Sequence, residues 1–460
     1  MIDQSYDQIF SAFEDISNSF KRKNQYFDIL YDSLSATSIE KNPYTENISV
    51  DFKTSGIVAR TFDGTWKEVA FDNVSNLNKV VQKLPKVVNK GEQIAEFDGW
   101  ELNKEIKPII NPKEIPIEEK LKKIRTISNF IQNYDKRIVM CQIKYLETEI
   151  TRIFANNEGS LLRQVIPRLR LFIWPIVKEG MNVDFDHSII EGQGGFEVFD
   201  DLNDTKLEQI ANNSLEMLKA KKPPSGKFTV IADPGMAGVI AHESFGHGLE
   251  ADQVLRERSY LKSKLYERVA SEMCVICDAP NMGNQIGSYF FDDEGIKAGK
   301  NVLVENGILI NFIHDRRTAS VLKATPQGNG RRESYAHVVH PRMSNTYFEP
   351  GDYTLEEMIS EIKEGVICNH SYFGMEDPIG GGLQATSKKG YLIENGEKKN
   401  ILKAIAISGY VLDVLQNIEA ISKDATEFHG GVCGKGNFDK VPVSDGGSYL
   451  KINELLISPG

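Results

Sequence analysis

The apolar residues near the start of the chain recur first at spacings of three and four, and then at spacings of two. The first pattern predicts an amphipathic helix whose buried stripe is Tyr6, Ile9, Phe13, Ile16 and Phe20. The second pattern, at Ile48, Val50 and Phe52, predicts a half-buried strand. Two further apolar runs flank Asp63-Gly64, a dipeptide that favours the positive φ of a tight turn. Residues 57–62 and 66–71 are therefore predicted to form a hairpin.

Two more helices and two long strands are predicted before residue 222. One helix begins at Pro116, where a proline loses no hydrogen bond, and its apolar face is Ile117, Leu121, Ile124 and Ile131. The apolar runs at 138–154 and 161–177 predict strands joined by a turn at 156–159. The next helix has the apolar positions Leu207, Ile210, Ala211, Leu215 and Leu218 and ends in a linker-like stretch at 221–226. We therefore predict an N-terminal α/β-mixed domain of residues 1–222.

The hydrophobic pattern changes after residue 223. Glycines and short apolar runs replace the long helical periods, with runs at 228–232, 302–304, 308–313 and 404–407. This pattern predicts a mainly β C-terminal domain of residues 223–460, with a helix that carries the candidate site. The predicted fold class is therefore α+β.

Length, charge and cysteine usage limit the class of protein. The 460 residues exceed the roughly 250–300 residues over which a single core grows, in agreement with two domains. The net charge of −11 does not favour a nucleic-acid surface, so we expect no direct nucleic-acid binding. No secretory leader and no apolar run of about 18 residues is visible, so we expect a cytoplasmic protein that does not enter the membrane. The five cysteines predict reduced thiols, and the pair Cys274 and Cys277 is predicted to be buried and free.

The motif with the most specific chemistry is His242-Glu243-x-x-x-His247. The familiar zinc peptidase motif has two histidines four residues apart on one helical face, with a glutamate as general base. Here the spacing is five, which on an ideal α-helix leaves the two side chains about 140° apart. A π-turn would align them, because residues i and i+5 then share a face. Alternatively, the helix ends near Gly246 and His247 comes from the next loop, and both alternatives predict irregular backbone at residues 243–248.

A zinc ion bound by two imidazoles needs a further protein ligand, because a catalytic zinc usually has three protein ligands and an open water position. Cys433 is the best candidate, since its flanking glycines allow the backbone to approach a metal closely. Lys435 is expected to lower the pKa of this thiol. His429, four residues before Cys433, is a further candidate ligand. From these residues alone, the alternative is ordinary helix histidines and a cysteine in a surface turn.

Longer stretches around these residues resemble one known family. His242-Glu243-Ser-Phe-Gly-His247-Gly-Leu-Glu-Ala-Asp is similar to the signature of the TldD/PmbA family, also labelled modulators of DNA gyrase. Further similar segments follow in family order over residues 230–460, at 289–295, 326–337, 341–347, 380–382 and 431–435. The predicted first domain resembles the family only in its strand–hairpin–helix order.

The resemblance implies a zinc metallopeptidase of the TldD type. In such subunits two histidines and a later cysteine hold Zn²⁺ and a glutamate activates water. His242, His247 and Cys433 are thus the expected metal ligands, and Glu243 the expected catalytic base. The resemblance further implies unfolded or short peptides as substrates. It also implies a dimer, formed with a second copy or with a PmbA/TldE-type paralogue.

Other residues are candidates for contact with substrate or transition state. Tyr335, His337 and Arg331 are candidates for the donor that stabilises an oxyanion. The alternatives are core packing for Tyr335, and for Arg331 an ion pair with Glu333 or with the acidic turn at 292–294. The glycines at 380–382, centred on Gly381, predict either a strand edge that an extended peptide joins or a simple hairpin loop.

A second class of function also fits the sequence. The chain could be a non-enzymatic modulator or binding subunit whose metal is structural. A glutamate next to the first histidine favours the enzyme, because structural zinc is usually closed by four cysteine or histidine ligands.

Overall fold

The computed structural model describes residues 6–20, 26–72, 77–84, 94–423, 427–436 and 439–460. The fold mixes helix and strand, with more strand than helix. Among the helices in these ranges, none is both long enough and apolar enough to cross a membrane.

Up to residue 222, the described chain forms one sheet with helices packed on it. The helices are α1 (Tyr6–Phe20), α2 (Leu77–Lys83), α3 (Ile117–Tyr134) and α4 (Asp204–Met217). The strands are β1 (Tyr26–Lys41), β2 (Glu46–Phe62), β3 (Trp66–Phe71), β4 (Glu101–Glu105), β5 (Ile138–Asn156), β6 (Leu161–Glu179), β7 (Asn182–Phe185) and β8 (Ser188–Gln193). Their order is β3-β2-β1-β5-β6-β4, and β7 and β8 also pair with β6.

The predicted helices and the predicted hairpin of this region are present. Ile9 and Phe13 of α1 are buried over β1 and β5, and α3 follows Pro116 directly. The buried residues of α3 pack with α4 and with β5 in one core cluster. The hairpin is β2–β3, with Gly64 in its turn at φ 93°. These elements form where predicted because apolar period and turn chemistry are local properties of the chain.

The predicted burial of the outer part of β2 is wrong. Ile48, Val50 and Phe52 lie in β2, but their exposed fractions are 44%, 52% and 53%. Strand β3 pairs with β2 only from Ile57 onward, so the outer end of β2 lies at an edge of the sheet. The alternating pattern therefore identified a strand but not whether its apolar face is covered.

From residue 226 the described chain is mainly β, as predicted. The strands are β9 (Gly226–Ala232), β10 (Ile276–Asp278), β11 (Asn301–Glu305), β12 (Ile308–Leu309), β13 (Gly330–Arg331), β14 (His340–Pro341), β15 (Asn345–Phe348), β16 (Glu364–Glu376), β17 (Gly382–Glu394), β18 (Glu397–Tyr410), β19 (Ile418–Ile421), β20 (Glu427–Lys435), β21 (Asp439–Gly447) and β22 (Leu450–Pro459). Short helices join them: α5 (Pro234–Val239), α6 (Ala251–Leu255), α7 (Arg316–Leu322), α8 (Leu355–Ser360) and α9 (Val411–Gln416).

Five of these strands close into a barrel, in the order β18-β17-β16-β9-β22, with β18 and β22 also paired to each other. A second sheet has the order β12-β11-β10-β15-β21-β20. Helix α5 connects the two, because it follows β9 of the barrel and packs against β16 and β21. The candidate metal motif begins directly after α5.

Buried ion pairs join the two parts of the chain. Arg60 of β2 lies 3.2 Å from Glu294, and Arg152 of β5 lies 2.5 Å from Asp293. Both carboxylates belong to the acidic turn at 292–294 and are buried. Removing one partner of such a pair leaves a buried charge without compensation, so both members of each pair are expected to matter for this junction.

Phe291 is the apolar counterpart of this junction, and its removal is expected to destabilise the whole molecule. Its side chain is 1% exposed and packs with Leu30, Val58, Phe154 and Leu162. We expect Phe291→Ala to lower the free energy of unfolding by about 3–5 kcal/mol in urea denaturation, because a cavity forms between the two parts. Met181→Ala is the control, since Met181 is 98% exposed and its loss should change little. An unchanged midpoint for Phe291→Ala would show that this apolar contact contributes no stability.

Candidate metal centre

The motif lies on a π-turn and a 3₁₀-turn that follow α5. The Asp233 side chain accepts a hydrogen bond from Met236 N and caps α5, which ends at Val239. Residues Ile240–Gly246 are π-helical, and His247 N donates to the carbonyl oxygen of His242. The predicted irregular backbone at 243–248 is therefore confirmed, while the predicted helix stops before the motif. In this backbone the rings of His242 and His247 have centroids 5.3 Å apart.

Cys433 reaches the two histidines from β20. Its Sγ lies 3.6 Å from Nε2 of His247. One ligand atom from each of His242, His247 and Cys433 lies within 4.8 Å of the other two. Within the described part of the chain, this trio forms the only such group of histidine, cysteine or acidic residues.

The donor set fits a zinc ion. Imidazole nitrogen and thiolate sulfur are both ordinary zinc ligands, and three of them leave one tetrahedral position open. His242 Nδ1 is buried and makes no hydrogen bond. His429, the further candidate ligand, lies outside the group, with its ring against Gly235.

The electrostatics of the cluster also favour a thiolate at Cys433. Burial raises the pKa of Cys433, but His247 and His242 outweigh it and hold the pKa of the thiol well below its usual value. Burial lowers the pKa of His242, yet the Cys433 charge raises it, to about 9. Lys435, which was expected to act on the thiol, instead binds Glu250 at 2.9 Å and Asp252 at 2.7 Å. A thiolate at Cys433 and a charged imidazole at His242 thus stabilise each other, and a metal that binds there displaces protons from its ligands.

Glu243 lies beside His247 on the solvent-exposed side of the cluster. Its Oε2 is 3.9 Å from Nε2 of His247, and its side chain is 30% exposed. Across from it, a Cβ atom at Gly374 of β16 would lie only 2.7 Å from Cγ of Glu243. The carboxylate is therefore next to the candidate ligands and open to solvent on one side.

The predicted oxyanion candidates have structural contacts of their own. Arg331 donates to the carbonyl oxygens of Met343 and Pro442, the latter at 2.7 Å, and so forms neither of its predicted ion pairs. Tyr335 packs against Gly56 of β2. His337 contacts Ser334 at 2.9 Å and has Glu333 at 3.7 Å. No contact that the structure gives for the three joins them to the metal cluster.

Gly380 and Gly381 lie in the turn between β16 and β17, and Gly382 begins β17, as the hairpin-loop alternative predicts. Gly381 has φ 74° and packs on the ring of Tyr260. Tyr260 also packs on Gly248, the residue after His247. This turn is therefore connected to the candidate site through one aromatic ring.

The cysteines outside the cluster are buried thiols, and none of them takes part in a disulfide. All five cysteines are free and buried. Burial raises the pKa of Cys274 to about 11 and that of Cys277 to about 12. The prediction of buried free thiols for this pair is confirmed.

Two residues near the cluster were missed from the sequence. Glu250 lies 3.5 Å from Nδ1 of His247, and Arg342 donates to the carbonyl oxygen of Cys433 at 2.7 Å. Glu250 follows His247 by three positions, and on a helical turn this spacing predicts that the two side chains are neighbours. Arg342 had no such signal, since it is 91 residues away from Cys433.

Gly246 is expected to be required for the π-turn. A Cβ atom there would lie 1.9 Å from Sδ of Met343 and 3.3 Å from the carbonyl oxygen of Ala241. We expect Gly246→Ala to lower the free energy of unfolding by about 1–3 kcal/mol through overpacking and to weaken zinc binding. Gly434→Ala is the matched control, because Gly434 adjoins Cys433 and a Cβ there meets nothing within 4 Å. Equal urea midpoints and zinc affinities for the two variants would contradict this role.

Two family models match the chain. The PmbA/TldA metallopeptidase central domain matches residues 110–222, and the PmbA/TldA metallopeptidase C-terminal domain matches residues 225–458. Two solved structures share the fold. A protein named as a candidate modulator of a DNA gyrase, from Thermotoga maritima, has a TM-score of 0.78 at 23% identity and covers 98% of this chain and 100% of that one. TldE from Thermococcus kodakarensis has a TM-score of 0.72 at 19% identity, with 97% and 100% covered.

Similar sequences carry the names of metalloproteases. A metalloprotease of Methanocaldococcus jannaschii is 36% identical over 428 residues, which are 89% of this chain and 92% of that relative. A zinc metalloprotease TldD homolog of Saccharolobus solfataricus is 33% identical, over 74% of this chain and 76% of the relative. With the two family models spanning most of residues 110–458, the chain belongs to the PmbA/TldD family.

Proposed function

We propose that this chain is a zinc-dependent peptidase that hydrolyses unfolded or short peptides, with Glu243 as its general base. The observation that carries the proposal is the convergence of the donor atoms of His242, His247 and Cys433 within 4.8 Å, beside Glu243. The names of the relatives, metalloprotease and zinc metalloprotease, support the same chemistry.

The residues of the site have separate roles in this proposal. His242, His247 and Cys433 would hold a zinc ion, which would supply the positive charge that polarises a water molecule or a carbonyl group. The Glu243 carboxylate, partly open to solvent, accepts a proton from the attacking water and gives it to the leaving amine. Burial of the Cys433 and His242 side chains keeps bulk water away from the inner side of the cluster.

A strand edge beside Glu243 supports an extended peptide as substrate. Strand β16 pairs with β9 only over Gly365–Cys368, whereas its pairing with β17 continues to Glu376. The segment beyond Cys368 passes Glu243 at Gly374. A peptide that adds to such an edge is recognised through its backbone, which suits loose sequence preference.

We also propose a partner and a compartment for this chain. The chain pairs with a second copy or with a PmbA/TldE-type paralogue, and the similarity of its fold to TldE supports this. A cytoplasmic location is supported by five cysteines that are all free.

The experiment is a peptide-hydrolysis assay on the full chain with defined metal content. Metal-free protein, zinc-restored protein and protein mixed with a chelator are incubated with an unstructured peptide and with a folded control protein. We expect about one zinc per chain by elemental mass spectrometry, cleavage of the unstructured peptide alone, and loss of cleavage on chelation. Stoichiometric zinc without cleavage, for the chain alone and with its partner, would favour the non-enzymatic modulator with a structural metal.

A further inference from the structure

We infer that Glu250 is a positioning residue for the metal centre: it orients the His247 ring and joins the two chain segments that carry the ligands. This inference rests on the proposed zinc site, and it concerns a residue outside the ligand set.

The two nitrogens of His247 face different partners. Nε2 lies 3.6 Å from Sγ of Cys433, while Nδ1 lies 3.5 Å from Oε2 of Glu250. An ionised carboxylate only accepts hydrogen bonds, so the ring proton of a neutral imidazole belongs on Nδ1. The lone pair of Nε2 is then directed toward the other two candidate ligands, as in the carboxylate–histidine pairs of known zinc sites.

The backbone holds Glu250 rigidly in this place. The residue ends the 3₁₀-turn that begins at His247, and its N–H donates to the carbonyl oxygen of His247. The main chain on both sides is paired with Ile313, since Ala251 N donates to Ile313 O at 2.9 Å and Ile313 N donates to Leu249 O at 2.9 Å. These main-chain hydrogen bonds fix the backbone of Glu250 beside the His247 ring, so the side chain needs no backbone movement to reach Nδ1.

Buried cations make the carboxylate a bridge to Cys433. Glu250 is 1% exposed, and a buried charge of this kind needs partners. Its partners are Lys435 at 2.9 Å and Arg342 at 3.7 Å. Lys435 follows Cys433 by two positions, and Arg342 donates to the Cys433 carbonyl oxygen at 2.7 Å. Glu250 thus couples the turn that carries His247 to the strand that carries Cys433.

Asp252 provides a matched control. It binds the same Lys435 at 2.7 Å and is nearly as buried as Glu250. The contacts that the structure gives for Asp252 do not include His247. A change at Asp252 therefore perturbs the shared lysine and leaves the carboxylate–imidazole contact in place.

The test compares Glu250→Gln and Asp252→Asn with wild type in the full chain. Zinc affinity is measured by competition with a chromophoric chelator, and the ring tautomer of His247 by NMR of protein labelled with ¹⁵N in its histidines. We expect Glu250→Gln to weaken zinc binding about 10–100-fold, the range seen for such supporting residues. We expect it also to shift the His247 Nδ1 signal, whereas Asp252→Asn should change the affinity less than about threefold.

The zinc affinities of the variants decide whether Glu250 has this role. Equal affinities for Glu250→Gln and wild type, or equal losses in the two variants, would overturn the inference. A wild-type chain that binds no zinc would overturn the proposed function instead. Should Glu250→Gln fail to fold, Glu250→Asp keeps the charge but draws it back from the ring. It is then expected to weaken zinc binding more than Asp252→Asn, and an affinity equal to wild type would again overturn the role.

Discussion

Replacing Cys433 by alanine is expected to remove zinc from the purified protein and to abolish peptide hydrolysis. The Cys433 thiol is the only candidate ligand here that carries a charge when it binds, and it holds the β20 side of the cluster. Two histidines alone leave zinc with half of its usual tetrahedral ligands. We therefore expect the loss of affinity to exceed the about 10–100-fold loss that accompanies removal of a supporting residue.

The measurement is zinc content by elemental mass spectrometry, together with cleavage of an unstructured peptide. Cys274→Ala is the matched control, because Cys274 is also a buried free thiol but lies outside the cluster. It should retain zinc and activity. One zinc per chain retained in Cys433→Ala would show that the third ligand is another residue.

Replacing Glu243 by glutamine is expected to preserve zinc content and fold while lowering kcat/KM for an unstructured peptide by about 10²–10⁴-fold. Glutamine has nearly the same shape as glutamate but cannot accept a proton from water. Glu243 is no member of the ligand group, so the metal should stay.

Glu267→Gln serves as the control for this change. Glu267 is an exposed acidic residue that pairs with Lys264 at the surface, so its replacement should leave the rate unchanged. Unchanged hydrolysis in Glu243→Gln would remove Glu243 from the mechanism. Loss of zinc in the same variant would instead make Glu243 a ligand.

Much of the candidate site was predictable because it depends on short stretches of sequence. The spacing of five between His242 and His247 cannot align two rings on an α-helix, and the observed π-turn is one of the two alternatives that this spacing left open. The same holds for α1, α3 and the β2–β3 hairpin, whose period and turn residues lie within about twenty positions of each other.

Contacts between distant segments were less predictable. The roles proposed for Tyr335 and Arg331 came from residue type, yet Tyr335 packs on Gly56 and Arg331 binds two main-chain carbonyl groups. Glu250 stands within the quoted motif, but nothing in the motif shows that Lys435 and Arg342 surround it. Residue type alone does not reveal which buried partner a charged group has.

The sequence by itself determined the α+β class, the positions of the main helices, the irregular backbone of the motif and the identity of the candidate donors. Local period, turn chemistry and residue spacing are sufficient for the first three, whereas the set of candidate donors came from the resemblance of longer segments to a known family. Only the tertiary structure decided that Cys433 lies beside His247, that β18 closes a barrel with β22, and that Ile48, Val50 and Phe52 remain exposed. The physical reason is that strand pairing and burial depend on segments far apart in the chain, whose meeting no local pattern records.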